Sequence, residues 1–507
     1  MSNIIGIDLG TTMSAIAKLN SVAKPEIVPN SEGERITPSI IFFRDYDNRA
    51  IIGTSAKNSA SSEPTRVAKE FKREMHNEEY RFRVDNLEYS ASDLSSFVLQ
   101  KLTQDASKIV GVIKDVVISV PAYFKESQRN ATITAGELAG LNVIGIINEP
   151  TAAALYYATT EETNGIGLIY DLGGGTFDAT VVKTNGNNIK VLSSAGDHHL
   201  GGVDFDLALL NIFEKKYQEA KDDNLYSDDE SKEEFLLLAE EVKKKLSTHP
   251  KIKQKLRGDG GAVIIEITQE EFEEQISIFI SRTELLIEQV LDEAEVEAEE
   301  IDYVLLVGGS TRIPIVSKSI ESTIGKPPIS RVNVDEAVAL GATIKAGLIT
   351  LEKSPNSMTQ NVARELRSIR SVDVANHSYG TISISYNEII QRYNSMNSII
   401  IEKNTPLPCS FTETFFTTHE GQTAIDITVT QGEDSDPDFV DKIYEDQMNL
   451  PPNRPDNQPI EITYRYDENQ IMHCTFKDVN SGQIKEIELH NGQEEKKPIG
   501  LNSFLIG

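Results

Sequence analysis

Two segments of this chain place the same side-chain types in the same order. Ile5–Thr12 reads IGIDLGTT, and Leu168–Thr176 reads LIYDLGGGT. Each is an apolar run closed by an aspartate, Asp8 or Asp171, and followed by glycine and threonine. Such a turn has three physical uses. A glycine lets the backbone bend tightly and approach an anion with no Cβ in the way. Successive N–H groups then form a concavity suited to phosphate oxygens. The aspartate offers a hard oxygen for Mg²⁺, usually through water. Two such turns facing one another would clamp a polyphosphate from both sides, with Asp8 and Asp171 sharing the metal, so the echo reads as a duplicated phosphate-gripping lobe. The chain has no Gly-x-x-x-x-Gly-Lys-Ser/Thr run, which excludes a Walker-type loop. A third glycine pair lies in Val307–Arg312, VGGSTR, after the run YVLL. It would let a flat ring lie against backbone, with Arg312 free to stack or pair; on its own, an ordinary strand-to-helix turn reads the same way.

These turns need strands and helices to hold them. Asn3–Asp8, Val116–Val120, Gly167–Asp171 and Tyr303–Val307 are short β-branched runs that read as buried strands. Helical periodicity fills Ala91–Ile109, Glu126–Ala139, Phe205–Ala220 and Glu270–Ala298. The alternation predicts an α/β architecture with mostly parallel central strands. The charge-dense stretch Ala220–Lys245 reads as a solvated helical face and loop. Beyond residue 350 the texture changes. Glu352–Arg370 is polar and aperiodic, and reads as a linker. Tyr379–Tyr386, Asn397–Ile401, Thr423–Thr430, Ile460–Tyr466, Ile471–Lys477 and Ile484–Leu489 are short alternating runs separated by turn residues. They predict a β-sandwich, with the Pro-rich Leu450–Pro459 as a loop.

Composition limits the partners. The 507 residues carry 49 basic and 79 acidic side chains, a formal charge of −30. That excess argues against nucleic acid, which demands clustered Lys and Arg, and against anionic membranes. It does not exclude a nucleotide, whose phosphates backbone N–H groups and Mg²⁺ can meet locally. No run approaches a membrane span, and no secretory leader is read at the start. Two isolated cysteines, Cys409 and Cys474, fit a reducing, cytoplasmic setting.

The segments IGIDLGTT, VPAYFKESQRNAT, INEPTAAALYY, YDLGGGTFD, GDHHLGGVDFD and LVGGSTRIP occur in this order across roughly residues 3–348. Together they resemble the nucleotide-binding domain of the 70-kDa heat-shock (DnaK-type) chaperones. NTPLP, FFTTHEGQTAIDITVTQGE and IEITYRYDENQIMHCTFKD resemble that family's substrate-binding sandwich. The resemblance implies an α/β actin-like two-lobed ATPase domain at 1–350, a linker at 351–370 and a β-sandwich substrate-binding domain at 371–490. A short tail would follow at 491–507, with no helical lid. It implies an ATP-dependent chaperone that hydrolyses ATP to ADP and phosphate with Mg²⁺, K⁺ being a further candidate, and binds extended apolar segments of unfolded proteins.

Residue by residue, the resemblance implies that Gly10, Thr11, Thr12, Gly173, Gly174 and Thr176 hold phosphates, with Gly201 and Gly202 beside them. Asp8 and Asp171 would position Mg²⁺. Lys72 would be the catalytic lysine, with Lys69 its rival; Glu149 would stand at the reaction centre. Asp178 would orient water or hold a monovalent cation. Glu240, Lys243, Lys244 and Ser247, then Gly308, Gly309, Ser310, Arg312 and Asp335, would form the base and ribose pocket. Ile382, Ile384, Phe416 and Ile425 are candidates for peptide contact, though all four would also suit a sandwich core. Pro121 and Arg129 match the family's relay between the two sites.

The sequence also departs from the family. Its linker keeps only Val372-Asp373-Val374 of the apolar–acidic run that joins the two domains, and Gly145 stands where many bacterial relatives carry an arginine met by J-domain partners. These departures weigh against J-domain and exchange-factor dependence. They support an alternative in which the chain is an ATP-regulated scaffold with weak peptide cycling.

Overall fold

The computed structural model describes residues 3–60, 62–160, 164–329, 333–387, 392–467, 470–489 and 504–506. Two mixed sheets form its larger part. The first runs Asn142–Asn148, Asp115–Val120, Ile5–Asp8, Met13–Leu19, Pro25–Ile27, with Thr37–Pro38 paired to Met13–Leu19. The second runs Ile301–Val307, Asn164–Leu172, Phe177–Asn185, Asn188–Asp197, Arg370–Val372. The two glycine-rich turns hold equivalent places in these sheets. Ile5–Asp8 has a parallel neighbour, Asp115–Val120, on one side and its own antiparallel return, Met13–Leu19, on the other. Asn164–Leu172 likewise lies between parallel Ile301–Val307 and its antiparallel return Phe177–Asn185. The expectation of mostly parallel strands therefore holds for only part of each sheet. A turn as short as 9–12 or 173–176 can close only an antiparallel return, because a parallel one needs a crossover of a dozen or more residues.

Burial explains the apolar runs. Ile5, Ile7, Val116, Val117 and Ile118 have no exposed surface, as expected for strands covered on both faces. Between the two sheets lie the helices Glu149–Thr160 and Ala337–Lys353, sharing one apolar core with Val117 and Ile147 of the first sheet and Ile169, Val182 and Leu305 of the second. The two helices cross backbone to backbone: a Cβ on Gly341 would stand 1.8 Å from the carbonyl oxygen of Ala152. Outside the first sheet packs Ala91–Val110, whose Ser90 and Asp93 form a reciprocal N-terminal cap. Outside the second pack Gly202–Lys221 and Gln269–Ala294. The charge-dense stretch is broken at Asp222, which adopts φ 55°, and resumes as the helix Asp229–Leu246 capped by Asp228. A smaller sheet, ordered Leu505–Ile506, Arg49–Ile52, Ile40–Arg44, Val67–Lys69, flanks the first.

Residues 351–370, expected as a linker, are structured. Helix Ala337–Lys353 runs into them, Thr359 caps a second helix at Gln360–Arg367, and Arg370–Val372 adds a parallel strand to the second sheet. Charged residues flank the short stripe Val362, Ala363 and Leu366, which is buried; one turn of such a stripe is too little period to read.

The remainder is a two-sheet β unit. One sheet is ordered Arg392–Ile401, Tyr379–Asn387, Ala424–Gln431, Asp441–Asn449, and the other Cys409–Phe416, Pro459–Tyr466, Met472–Asp478, Ile484–Glu488. Both face one core that includes Ile401, Val429, Tyr464, Cys474 and Phe476. Cys409 and Cys474 are free thiols. Two strands carry no readable alternation: Cys409–Phe416 lies at a sheet edge with six of its eight side chains exposed, and Asp441–Asn449 is predominantly polar. Of the expected tail, residues 491–503 lie outside the described residues.

Candidate active site

A cavity of about 950 Å³ opens between the two mixed sheets and is lined by both glycine-rich turns. Gly10, Thr11 and Thr12 come from the first, and Gly173, Gly174 and Thr176 from the second. Gly10 cannot be replaced without a clash, since a Cβ there would stand 1.9 Å from the Met13 carbonyl oxygen. Gly308, Gly309, Ser310 and Arg312 line another wall with Asp335; Gly308 takes φ 83°, where its missing side chain lets it lie against the Leu172 carbonyl. Arg312 is paired with Asp335 at 2.7 Å. The helices Gly202–Lys221 and Asp229–Leu246 contribute Gly202, Glu240, Lys243, Lys244 and Ser247.

At the closed end lie Asp8, Asp171, Glu149 and Lys72. The Lys72 ammonium, 3% exposed, donates to Glu149 Oε1 at 2.7 Å and lies 5.5 Å above the Phe124 ring. Lys69 instead reaches across the mouth to Glu233 at 2.7 and 2.9 Å. Asp8 accepts a hydrogen bond from Ser119 at 2.9 Å. Burial, then the charge of Glu149, pushes its carboxyl up to about 7, although Lys72 and Ser119 oppose the shift. Burial, then the neighbouring carboxylates, also raise Asp171 well above the ordinary carboxylate range, and its Oδ2 has no hydrogen-bond partner. Asp178 faces Asp171 across the hairpin and is likewise raised to about 7, by burial and Glu149. Four carboxylates thus converge with one buried lysine, a surplus of negative charge that costs free energy unless cations compensate it.

These donors suit a hard cation such as Mg²⁺. Among the described residues no group of three or more His, Cys, Asp or Glu could hold a metal by itself.

All but two of the sequence-predicted nucleotide residues line this cavity. Gly201 stands behind the second turn, where a Cβ would lie 2.5 Å from Gly175 N, and Asp178 lies behind Asp171. Sequence reasoning missed the ion pairs that cross the cavity. Lys57 bonds Glu240, while Lys243 bonds Asp206 at 2.8 Å and donates to the Gly202 carbonyl at 2.6 Å. Arg73 spans from Asp204 to the Gly175 carbonyl. Burial works against the charge of Glu240, yet Lys57 and Lys244 hold its carboxyl down to about 2. The paired residues are far apart in sequence, so no spacing announces them.

The β unit is seated chiefly on the helix Glu126–Leu138, which follows strand Asp115–Val120 of the first sheet, and also touches Gln269–Ala294 of the second. Arg129, fully buried, donates to the carbonyls of Phe124 and Ala122 and to the side chains of Asn148 and Gln470. Glu126 N–H donates to Gln431 at 3.1 Å, Lys403 bonds Glu293 at 2.6 Å, and Asn130 donates to the Leu489 carbonyl. Of the peptide candidates, Ile384 and Phe416 are 57% and 55% exposed, Ile382 is half-buried, and Ile425 packs on the β core. Phe411, Tyr393 and Ile399 add exposed apolar surface that the sequence did not single out. No helix among the described residues is long and apolar enough to cross a membrane.

Fold and cavity together define a class: a mixed α/β protein whose duplicated glycine-rich hairpins close on one acid-lined cleft, with a two-sheet β unit attached. Residues 4–498 match the family model described as Hsp70 protein. The chain is 36% identical over 492 residues to "Chaperone protein DnaK" of Thermotoga neapolitana, covering 95% of this chain and 79% of that one. It is 36% identical over 495 residues to "Chaperone protein DnaK" of Thermotoga petrophila, with the same coverage. The chain belongs to the Hsp70 family of ATP-hydrolysing chaperones.

Proposed function

We propose that the two mixed sheets are the lobes of an actin-like ATPase, that the β unit is a substrate-binding sandwich, and that the acid-lined cleft is where ATP becomes ADP and phosphate. The observation that carries this reading is the buried Lys72–Glu149 pair, set between two anion-cradling turns. Backbone N–H groups of Gly10–Thr12 and Gly173–Thr176 hold the β- and γ-phosphates. Asp8 and Asp171 would hold Mg²⁺, which would offset phosphate charge. Lys72 neutralises charge on the γ-phosphoryl as a point cation. Glu149 accepts the proton of the attacking water, with Thr176 and Asp178 orienting it. The water oxygen bonds to the γ-phosphorus as the bond to the β–γ bridging oxygen breaks. Catalysis is then positioning plus charge stabilisation. A monovalent cation such as K⁺ suits Asp178. Glu240, Lys243, Ser247, Gly308–Ser310, Arg312 and Asp335 receive the adenosine, with Lys244 outermost.

Extended apolar peptide would bind the β unit over its exposed apolar side chains, Ile384 and Phe416 among them. The ATPase takes in residues 1–350 together with the stretch 351–370 expected as a linker, up to the strand Arg370–Val372, and the β unit is the substrate-binding domain, expected at 371–490. A J-domain co-chaperone and a nucleotide exchange factor are candidate partners, against which Gly145, buried in its strand, and the reduced linker weigh. Free Cys409 and Cys474 support a cytoplasmic setting. The test measures ATP hydrolysis and peptide release together on the full chain. ATP should accelerate release of a labelled apolar peptide, and peptide should accelerate hydrolysis; two mutually indifferent activities would overturn the coupled reading.

A further inference from the structure

The two-residue strand Leu505–Ile506, with Phe504 directly before it, lies on the small sheet beside the first lobe. It pairs in parallel with Arg49–Ile52, Leu505 opposite Arg49 and Ile506 opposite Ala50, and Leu505 N–H donates to the Asn48 carbonyl at 2.9 Å. The three side chains alternate as a half-buried strand requires. Phe504 is 4% exposed and Ile506 packs on the same core, while Leu505 between them is 68% exposed. Phe504 meets Phe43 edge-on at 5.1 Å between ring centroids. Phe43 is itself stacked on Tyr89 and edge-on to Phe97. Such aromatic contacts add to the gain from burying the ring. Without this strand, Arg49–Ile52 would be the edge of its sheet, with unpaired backbone groups beside an apolar pocket.

We propose that the Arg49–Ile52 edge and the pocket of Phe43, Tyr89 and Phe97 form a receptor for a Phe-x-Ile strand. The chain's own Phe504–Ile506 occupies it in cis, adding a strand pairing to the side-chain contacts between the β unit and the ATPase. Arg370–Val372 pairs with the second sheet on one side of the β unit; this pairing, after the β unit, lies on the other lobe. Leu489, the last described residue of the β unit, is bonded to Asn130 on the first lobe. From there the chain spans at most about 50 Å to Phe504, so the same molecule's segment is always near its receptor. Repulsion between chains of charge −30 disfavours a partner's segment. The inference does not rest on the nucleotide chemistry proposed above.

The test is a disulfide across the pairing. Arg49 and Leu505 stand opposite one another in register and both are exposed, so Arg49→Cys with Leu505→Cys leaves the core intact and lies within bridging distance. Mild oxidation of the full chain should give a monomer linked between these two peptides, identified by mass, in most molecules. Arg49→Cys alone controls for linkage to Cys409. Adding Phe504→Ala should cut the yield at least tenfold, whereas Phe504→Tyr should keep it. ATPase activity of the reduced double variant equal to the parent's shows that the fold is undisturbed. A disulfide-linked dimer would overturn occupancy in cis, absence of the link would overturn the attachment, and a yield indifferent to Phe504→Ala would overturn the aromatic receptor.

Discussion

Arg129 and Asp373 are joined through the same two side-chain amides. Arg129 donates to Asn148 Oδ1 at 2.7 Å and to Gln470 Oε1, and each of those amides donates to Asp373 Oδ2, at 3.1 and 2.8 Å. Asn148 directly precedes Glu149, the partner of Lys72, and Gln470 belongs to the β unit. Asp373, in the remnant Val372-Asp373-Val374, thus sits where the first lobe and the β unit meet. Arg129→Ala should leave the ATPase folded but remove ATP's effect on peptide release. Losing a buried charged donor from such a network costs on the order of 2–4 kcal/mol of docking. Peptide off-rates with and without ATP, beside basal hydrolysis, check this; an undiminished ATP response would refute it.

Glu126 makes that docking sensitive to pH. Burial pushes its carboxyl from the ordinary 4.5 up to about 7, against the opposing charge of Arg129, and its Oε2 has no partner. A raised carboxyl stabilises the docked state fully below pH 4.5 and loses that contribution as pH rises through about 7. The loss is on the order of 3 kcal/mol at the alkaline end. Glu126→Gln should flatten the dependence. Docking followed by fluorescence transfer between lobe and β unit from pH 5 to pH 8 would show it, and identical profiles for parent and variant would count against it.

Lys72→Ala should lower the hydrolysis rate by about a hundredfold to a thousandfold, the range for losing one preorganised charge donor. Nucleotide binding should survive, because the backbone turns that cradle phosphate are untouched. Single-turnover hydrolysis with separate binding titrations distinguishes the two effects. A variant that still turns over would move the role elsewhere.

Lys57 and Lys69 bridge the cavity mouth to Glu240 and Glu233. Both pairs are partly solvated, and each is worth at most about 1 kcal/mol. Lys57→Ala or Lys69→Ala should therefore release ADP up to about fivefold faster, and more so in low salt than in high. Stopped-flow release of a fluorescent nucleotide measures it; hydrolysis in a single turnover should change little.

Much of the site was legible because its chemistry is local. The turns after Asp8, Asp171 and Val307 each carry glycine, aspartate or threonine within a few residues, and the strands before them are uniformly apolar. The residues that close the cleft were not legible. Lys57–Glu240, Lys69–Glu233 and Arg73–Asp204 depend on helices and loops brought together by the whole fold, and a surface lysine has no local signature. The same limit hid the Phe504 strand, since three residues carry too little alternation to recognise. Parallel pairing was over-read because apolar runs announce burial on both faces but not strand direction. The helix at Gln360–Arg367 was lost because its buried stripe, Val362, Ala363 and Leu366, is only one turn long.

The crossing of Gly341 over Ala152 has a mechanical consequence. Two helix backbones in direct contact leave nothing compressible between the lobes at that point. Drawing the lobes apart there would open a void, so a relative motion that spared this contact would be a rotation about it, travelling furthest at the far rim where Lys57 and Lys69 stand. A fraction of an ångström at the pivot would become a much larger swing at the mouth.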